Sequence, residues 1–262
     1  MTSSTALAAG PAPDPVLRED CDSVALLTLN RPSKRNALDI ATFVALEAHL
    51  ADLEDQVDRI GAVVVRGAGP CFSAGADISG PTRSPRPHFQ ASVIERLANL
   101  PQPVIASVHG HCVTGGLELA LAADLIVAAE SARFADTHAR FALAANWGLT
   151  QRLPRRIGAY RAREMMFTNR EVGGREAEQI GLATRCVPDA DLETETATLA
   201  ATIVGGSWFS HQEHKRALLR TDGVPLAAGL ADEQYRMRKV GPDFAERAGD
   251  RFDDSKRRPP AG

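Results

Sequence analysis

The stretch His109-Gly110-His111-Cys112-Val113-Thr114-Gly115-Gly116-Leu117-Glu118-Leu119 decides how this chain is read. It follows the apolar run Val104-Ile105-Ala106-Ser107-Val108 and leads into Ala120-Leu121-Ala122-Ala123. An apolar run, glycine punctuation and then alanine and leucine predict a buried strand, a glycine turn and a helix. The glycines leave backbone N–H groups open at the helix start, where the dipole favours negative charge. Glu118 stands just beyond Gly115, so an anion-stabilising amide and an acid/base carboxylate fall within one helical turn. Buried among alanine and leucine, such a carboxylate holds its proton more tightly than usual, which suits proton transfer near neutral pH.

Upstream, Cys71-Phe72-Ser73-Ala74-Gly75-Ala76-Asp77-Ile78 follows a strand expected over Ile60–Val65. Its small side chains let a ligand approach the backbone, with a plain tight loop as the lesser alternative for this segment alone. Taken together, the two segments fit an oxyanion hole in which the Ala76 and Gly115 amides converge on one carbonyl oxygen. Each such donor supplies about 3–4 kcal/mol to a developing enolate.

The 262 residues suffice for one large domain, or a domain with a small appendage. A net charge of −3 and an aromatic content of 5% give no support to nucleic acid or membrane as a partner. Four scattered cysteines without a CxxC pair fit reduced thiols in a cytoplasmic protein. Cys112 inside the glycine turn lacks the His/Asn context of a nucleophile. His109-x-His111 and His211-x-x-His214 lack companion ligands, so no metal site is expected. No Walker or GxGxxG pattern follows a strand. Arg152, Arg155, Arg156, Arg161 and Arg163 read as charges decorating helices or a subunit interface.

Residues 1–15, rich in Ala, Pro, Ser and Thr, read as a disordered tail rather than a signal peptide. Residues 16–200 then form an α/β core and residues 201–262 a helical C-terminal region. Val16 to Glu19 and Val24 to Leu29 pair around Asp20-Cys21-Asp22. Asp39 caps a helix running to about Val57, with Phe43, Leu46, Leu50 and Leu53 on its inner face. Gly80 to Pro87, with three prolines, reads as a mobile surface loop, and Ser255 to Gly262 as a frayed end. Phe89 to Leu100 reads as a helix and Leu125 to Ala129 as a strand. Helices are expected at Ala159–Phe167, Arg175–Ile180, Ala190–Val204, Trp208–Leu219 and Pro225–Val240. No internal repeat is visible.

From Val24 to Val187 the chain resembles the enoyl-CoA hydratase/isomerase (crotonase) family. The resemblance rests on Leu29-Asn30-Arg31-Pro32 with Asn36-Ala37-Leu38, on Ser73 to Ile78, and on Pro103-Val104-Ile105-Ala106 leading to Gly115-Gly116-Leu117-Glu118-Leu119-Ala120. Asp124, Phe134, Gln151-Arg152-Leu153-Pro154 and Ala177 with Gly181-Leu182-Ala183 continue it in order. It implies a spiral of repeated ββα units and a C-terminal helical region used in trimerisation, with trimers stacking into hexamers. It also implies an acyl-CoA thioester substrate and no cofactor beyond the coenzyme A carried by that substrate. The enolate would be held by the amides of Ala76 and Gly115. The CoA-contacting segments map onto Lys34, Arg35 and Ala37 and onto Ala74, Ala76, Asp77, Ile78 and Ser79.

Hydratases of the family use two glutamates. The first maps onto Glu118. The second belongs to a Phe-Gly-x-Pro-Glu pattern, where this chain has Phe134-Ala135-Asp136-Thr137-His138. Ungapped alignment places His138 at the second glutamate. If Asp136 to His138 is extended, both side chains share one face and Asp136 orients the imidazole. The alternative is that His138 fills the vacated place and bonds locally. The family's Pro-Gly-x-Gly turn is replaced by Ala145-Asn146-Trp147-Gly148, where Trp147 either narrows the acyl pocket or fills core. Three readings follow: a hydratase adding water across the α,β double bond, an isomerase using Glu118 as sole acid/base, or an acyl-CoA-binding paralogue without hydratase activity.

Overall fold

A computed structural model describes residues 14–79 and 84–252. The expected N-terminal tail up to residue 13, part of the Gly80–Pro87 loop and the Ser255–Gly262 end lie outside the described residues. The chain opens with β1 (Val16–Cys21) and β2 (Val24–Leu29), an antiparallel hairpin. Its turn is Asp22-Ser23, both at positive φ, the signature of a two-residue type I′ turn. The first strand therefore runs on to Cys21 instead of ending at Glu19.

Asp39 caps α1 (Ile40–Glu54) by accepting the Thr42 N–H at 2.8 Å. The helix buries Phe43, Leu46, Leu50 and Leu53 as expected. β3 (Ala62–Gly67), α2 (Phe89–Ala98) and β4 (Val104–Val108) follow. After β4 the sequence reading needs a correction. The chain does not pass directly from turn to helix; a short strand, β5 (His111–Val113), intervenes before α3 (Gly115–Ala120). Gly110, at φ +52°, makes the corner, because a Cβ there would strike the Pro70 carbonyl and Cys71. The motif repeats as β6 (Leu125–Ala129) and β7 (Arg133–Ala135).

Next come α4 (Leu149–Ile157), α5 (Ala159–Thr168), β8 (Val172–Gly173), α6 (Gly174–Gln179) and β9 (Arg185–Val187). The chain closes with α7 (Leu192–Gly205), α8 (Trp208–Thr221), α9 (Leu226–Arg236) and α10 (Phe244–Phe252). The expected division at residue 200 falls inside α7.

The strands form a six-stranded sheet in the order β1-β2-β3-β4-β6-β9 and a three-stranded sheet in the order β5-β7-β8. In the large sheet every pairing after the hairpin is parallel. Each turn of the chain thus lays one long strand in the large sheet and one short strand in the small one. Ser73, bridged to Cys112, plays the short-strand part for the turn that begins at β3. This is the spiral of ββα units, repeated in structure though not in sequence.

Both faces of β3 are covered, so Ala62 to Val65 are all buried. Val63 and Val65 join the core beneath α1 and α2, while Val64 joins Ile105, Val127, Leu192 and Ala200 beneath α7. The alternation of a strand sorts one valine run onto two cores. Lys215 ties α8 to the body: it is buried and donates to the Gln102 carbonyl at 2.9 Å and to Asp124 at 2.7 Å.

Candidate active site

Three loops meet where the two sheets diverge. Ser73 donates its N–H to His111 O at 2.9 Å, and Val113 N–H donates to Ser73 O at 3.2 Å, so the small-residue loop runs alongside β5. On its other side Leu38 N–H donates to Gly75 O at 2.8 Å and Asp77 N–H to Leu38 O at 2.9 Å. These bonds use the amides on either side of Ala76. Among the described residues, the Ala76 and Gly115 N–H groups donate to no protein acceptor.

The two amides come together. A Cβ placed on Gly115 would lie 3.2 Å from the Ala76 nitrogen and would run into the Trp147 ring. Only glycine therefore fits at that helix start. The preceding residue, Thr114, holds φ +46° and ψ −116°, a conformation that costs a β-branched residue about 1–3 kcal/mol. Thr114 N–H is held by Ala135 O at 2.9 Å. The strain is located where the chain turns the Gly115 amide toward Ala76.

Glu118, on the first turn of α3, is 1% exposed. Its Oε1 accepts the N–H groups of Trp147 at 2.8 Å and Leu149 at 3.2 Å. Its Oε2 faces His138 Nε2 at 3.8 Å. Burial raises the Glu118 pKa above the glutamate range, against the opposing pull of those two amides and of His138.

Asp136 and His138 do meet, but not through an extended backbone. Thr137 sits at φ −109° and ψ 11°, and His138 begins a single 3-10 turn. The Asp136 Oδ1 accepts the His138 N–H at 3.0 Å and lies 2.6 Å from its Nδ1, an Asx turn closed onto its own imidazole. Hydrogen bonding to Asp136, then its charge and that of Glu118, raise the His138 pKa despite partial burial. With Nδ1 committed to Asp136, Nε2 is the nitrogen turned to Glu118. Asn169 holds the turn in place by donating to the Asp136 carbonyl at 2.9 Å.

The segments expected to contact CoA lie side by side. Ala74 N–H donates to Arg35 O at 2.9 Å, and Lys34 and Arg35 are exposed, with Arg35 in the left-handed region. Ile78 is 63% exposed. Asp77 accepts both the N–H of Ser79, at 3.0 Å, and its hydroxyl, at 2.6 Å. With the Arg31 guanidinium also close, these bonds pull the Asp77 pKa down to about 2. Arg31, which the sequence does not place in the site, and Asn36, within the loop 34–37 that the resemblance maps onto CoA contacts, organise these segments. Arg31 bridges Asp77 and Asp39 at 3.0 Å each and bonds the Ala37 carbonyl. Asn36 is buried and donates to Ala68 O and Cys71 O, each at 2.8 Å. The sequence signal for Arg31 is membership of the Leu29–Leu38 motif.

Other candidates fall away. Cys112 is fully buried and burial pushes its thiol well above the usual range, so it is no nucleophile. His109 and His211 bond backbone carbonyls of Gly69 and Ile203. No group of three His, Cys, Asp or Glu among the described residues is placed to hold a metal ion. Arg155 pairs with Asp222 at 2.9 Å and Arg152 with Glu95 at 2.5 Å, so these charges link helices. No helix among the described residues is long and apolar enough to cross a membrane.

Comparison with known proteins agrees with this geometry. The family model for enoyl-CoA hydratase/isomerase matches residues 19–247. A Mycobacterium tuberculosis protein named probable enoyl-CoA hydratase EchA12 is 38% identical over 241 residues, 85% of this chain and 84% of that protein. The solved structure of an enoyl-CoA hydratase from Bacillus anthracis superposes with a TM-score of 0.80 at 32% identity, covering 84% of this chain and 88% of that one. A monofunctional enoyl-CoA isomerase from M. smegmatis gives 0.74 at 37% identity, covering 83% and 98%. With the crotonase fold, the ordered motifs and the family match all in agreement, the chain belongs to the enoyl-CoA hydratase/isomerase family.

Proposed function

We propose that the protein is an enoyl-CoA hydratase, adding water across the α,β double bond of an acyl-CoA thioester. The observation that carries this reading is the 3.8 Å approach of His138 Nε2 to Glu118 Oε2, with every other polar atom of the two side chains already committed. Hydration needs two groups that handle protons on one side of the substrate, and here both are present although the second is an imidazole. The thioester oxygen lies between the Ala76 and Gly115 amides, which stabilise the enolate as it forms. Glu118 and His138 hold the water; one withdraws its proton as oxygen bonds to Cβ, and the proton is returned at Cα. Asp136 fixes the imidazole and favours its protonated form. Lys34, Arg35 and Ala37, with Ala74 to Ser79, line the path of the CoA moiety.

Hydration removes the conjugated enoyl thioester absorbance. The wild-type protein is expected to bleach a short 2-enoyl-CoA, and Glu118→Gln to slow this by about 10²–10⁴-fold. Absence of bleaching across chain lengths rejects the reading. A second reading, double-bond isomerisation with Glu118 as the shuttle, is favoured by the 37% identity to the isomerase structure. It predicts conversion of a 3-enoyl-CoA to the conjugated isomer, insensitive to His138→Ala.

The assembly we propose is a homotrimer, or two stacked trimers. Its support is the apolar surface of the C-terminal helices, where Leu218, Leu226, Leu230, Tyr235 and Phe244 are more than half exposed.

A further inference from the structure

Trp147 has a place in this site that neither acid/base chemistry nor thioester polarisation uses. The point where a Gly115 Cβ would sit is 3.2 Å from the Ala76 nitrogen and already within the contact shell of the indole. The ring therefore flanks the oxygen-binding amides themselves. Its backbone N–H is fixed by Glu118 at 2.8 Å, and its carbonyl accepts from Arg152 at 3.1 Å. The indole also meets Phe43 in an edge-on contact, with centroids 5.1 Å apart and planes at 74°. Phe43 is fully buried in α1, so the partly buried indole packs against the core through it. An acyl chain whose carbonyl oxygen is bound at Ala76 and Gly115 therefore starts within reach of this ring.

We propose that Trp147, braced by Phe43, is the wall that sets acyl-chain length, restricting the enzyme to short-chain enoyl thioesters. The proposal rests on the reading that a thioester carbonyl is held by the Ala76 and Gly115 amides. It does not rest on which reaction follows. Steric exclusion by a rigid aromatic wall discriminates on the order of 10–200-fold per excluded methylene at the limit of the pocket.

The test is calorimetric binding of saturated butyryl-, octanoyl- and lauroyl-CoA to the full chain, in the wild type, Trp147→Ala, Trp147→Phe and Phe43→Leu. The wild type should bind butyryl-CoA at least about tenfold more tightly than lauroyl-CoA. Trp147→Ala should bring lauroyl-CoA to parity or better, and Trp147→Phe should fall between. Phe43→Leu should relax the preference without touching the thioester. A Trp147→Ala protein, folded by circular dichroism, with the wild-type ratio would overturn the proposal, as would a wild type that prefers lauroyl-CoA. If Trp147→Ala does not fold, Trp147→Phe decides on the same criterion. Saturated thioesters cannot be hydrated. A chain-length shift without turnover of enoyl-CoA therefore retains the wall and rejects the hydratase reading, and turnover without a shift does the reverse.

Discussion

His138 presents its Nε2 to Glu118 Oε2 at 3.8 Å while Asp136 holds its Nδ1 at 2.6 Å. The separation is longer than a direct hydrogen bond and lies within ion-pair distance when His138 is protonated. The two groups titrate as one system, so the limbs of a pH profile belong to the pair.

The direction of both shifts makes a pH prediction. Burial raises Glu118 and Asp136 raises His138, so kcat/KM should be bell-shaped, with both limbs above the ordinary Glu and His values. Asp136→Asn removes the larger of the two influences that raise His138 and leaves that of Glu118, so the alkaline limb should move down. A uniform loss of rate with the limb unmoved would assign Asp136 a merely structural part.

Glu118→Gln preserves the shape of the side chain and can still accept one backbone N–H at Oε1. Its melting temperature should stay within a few degrees of wild type while turnover falls by at least about 10²-fold. Comparable losses in stability and rate would show instead that Glu118 chiefly holds the Trp147–Leu149 turn.

Asp77 ties the loop that carries the Ala76 amide. Its folded pKa of about 2 is depressed, so its contribution is fully present above the unfolded value near 3.9 and disappears as pH falls toward 2. The shift corresponds to roughly 2–3 kcal/mol. Urea unfolding should show Asp77→Asn less stable than wild type at pH 7 and the gap closing near pH 2. A gap independent of pH would place the loss in packing rather than in charge.

Lys215 is the buried cation that docks α8, facing Asp124 and the Gln102 carbonyl. Lys215→Met leaves the Asp124 carboxylate, among the described residues, with the Val104 N–H at 2.7 Å, the nearby charge of Arg156 and partial access to water. We expect a loss of about 1–3 kcal/mol, read from chemical denaturation. Double substitution with Asp124→Leu should recover part of it, since no unpaired charge is then left behind.

Some of this architecture is written locally and some is not. The α1 cap needs only Asp39 and Thr42, three positions apart, and its buried face follows from Phe43, Leu46, Leu50 and Leu53 at helical spacing. β3, β4 and β6 are apolar runs because both faces are covered. β5, β7 and β8 are two or three residues long and exist through pairing with partners remote in sequence, so no periodicity announces them. α4 (Leu149–Ile157) contains Pro154, a residue that disfavours a helix interior, so local propensity argues against its exact bounds. The meeting of Ala76 with Gly115 was expected from chemistry, yet what enforces it, the bonds from Leu38 and His111 to the loop, is tertiary. Of the two geometries open for Asp136 and His138, the extended backbone is absent and a local Asx turn brings them together. Arg31 joins Asp77 across 46 positions, which spacing does not reveal.

The central claim is that Glu118 and His138 together deliver water to a thioester held by two amides. Turnover of a short 2-enoyl-CoA in oxygen-18 water, followed by mass spectrometry of the product, tests it most directly. The account predicts a 3-hydroxyacyl-CoA carrying one solvent oxygen from the wild type, and loss of that product in both Glu118→Gln and His138→Ala. A product without solvent oxygen, or full labelling by His138→Ala, would contradict it.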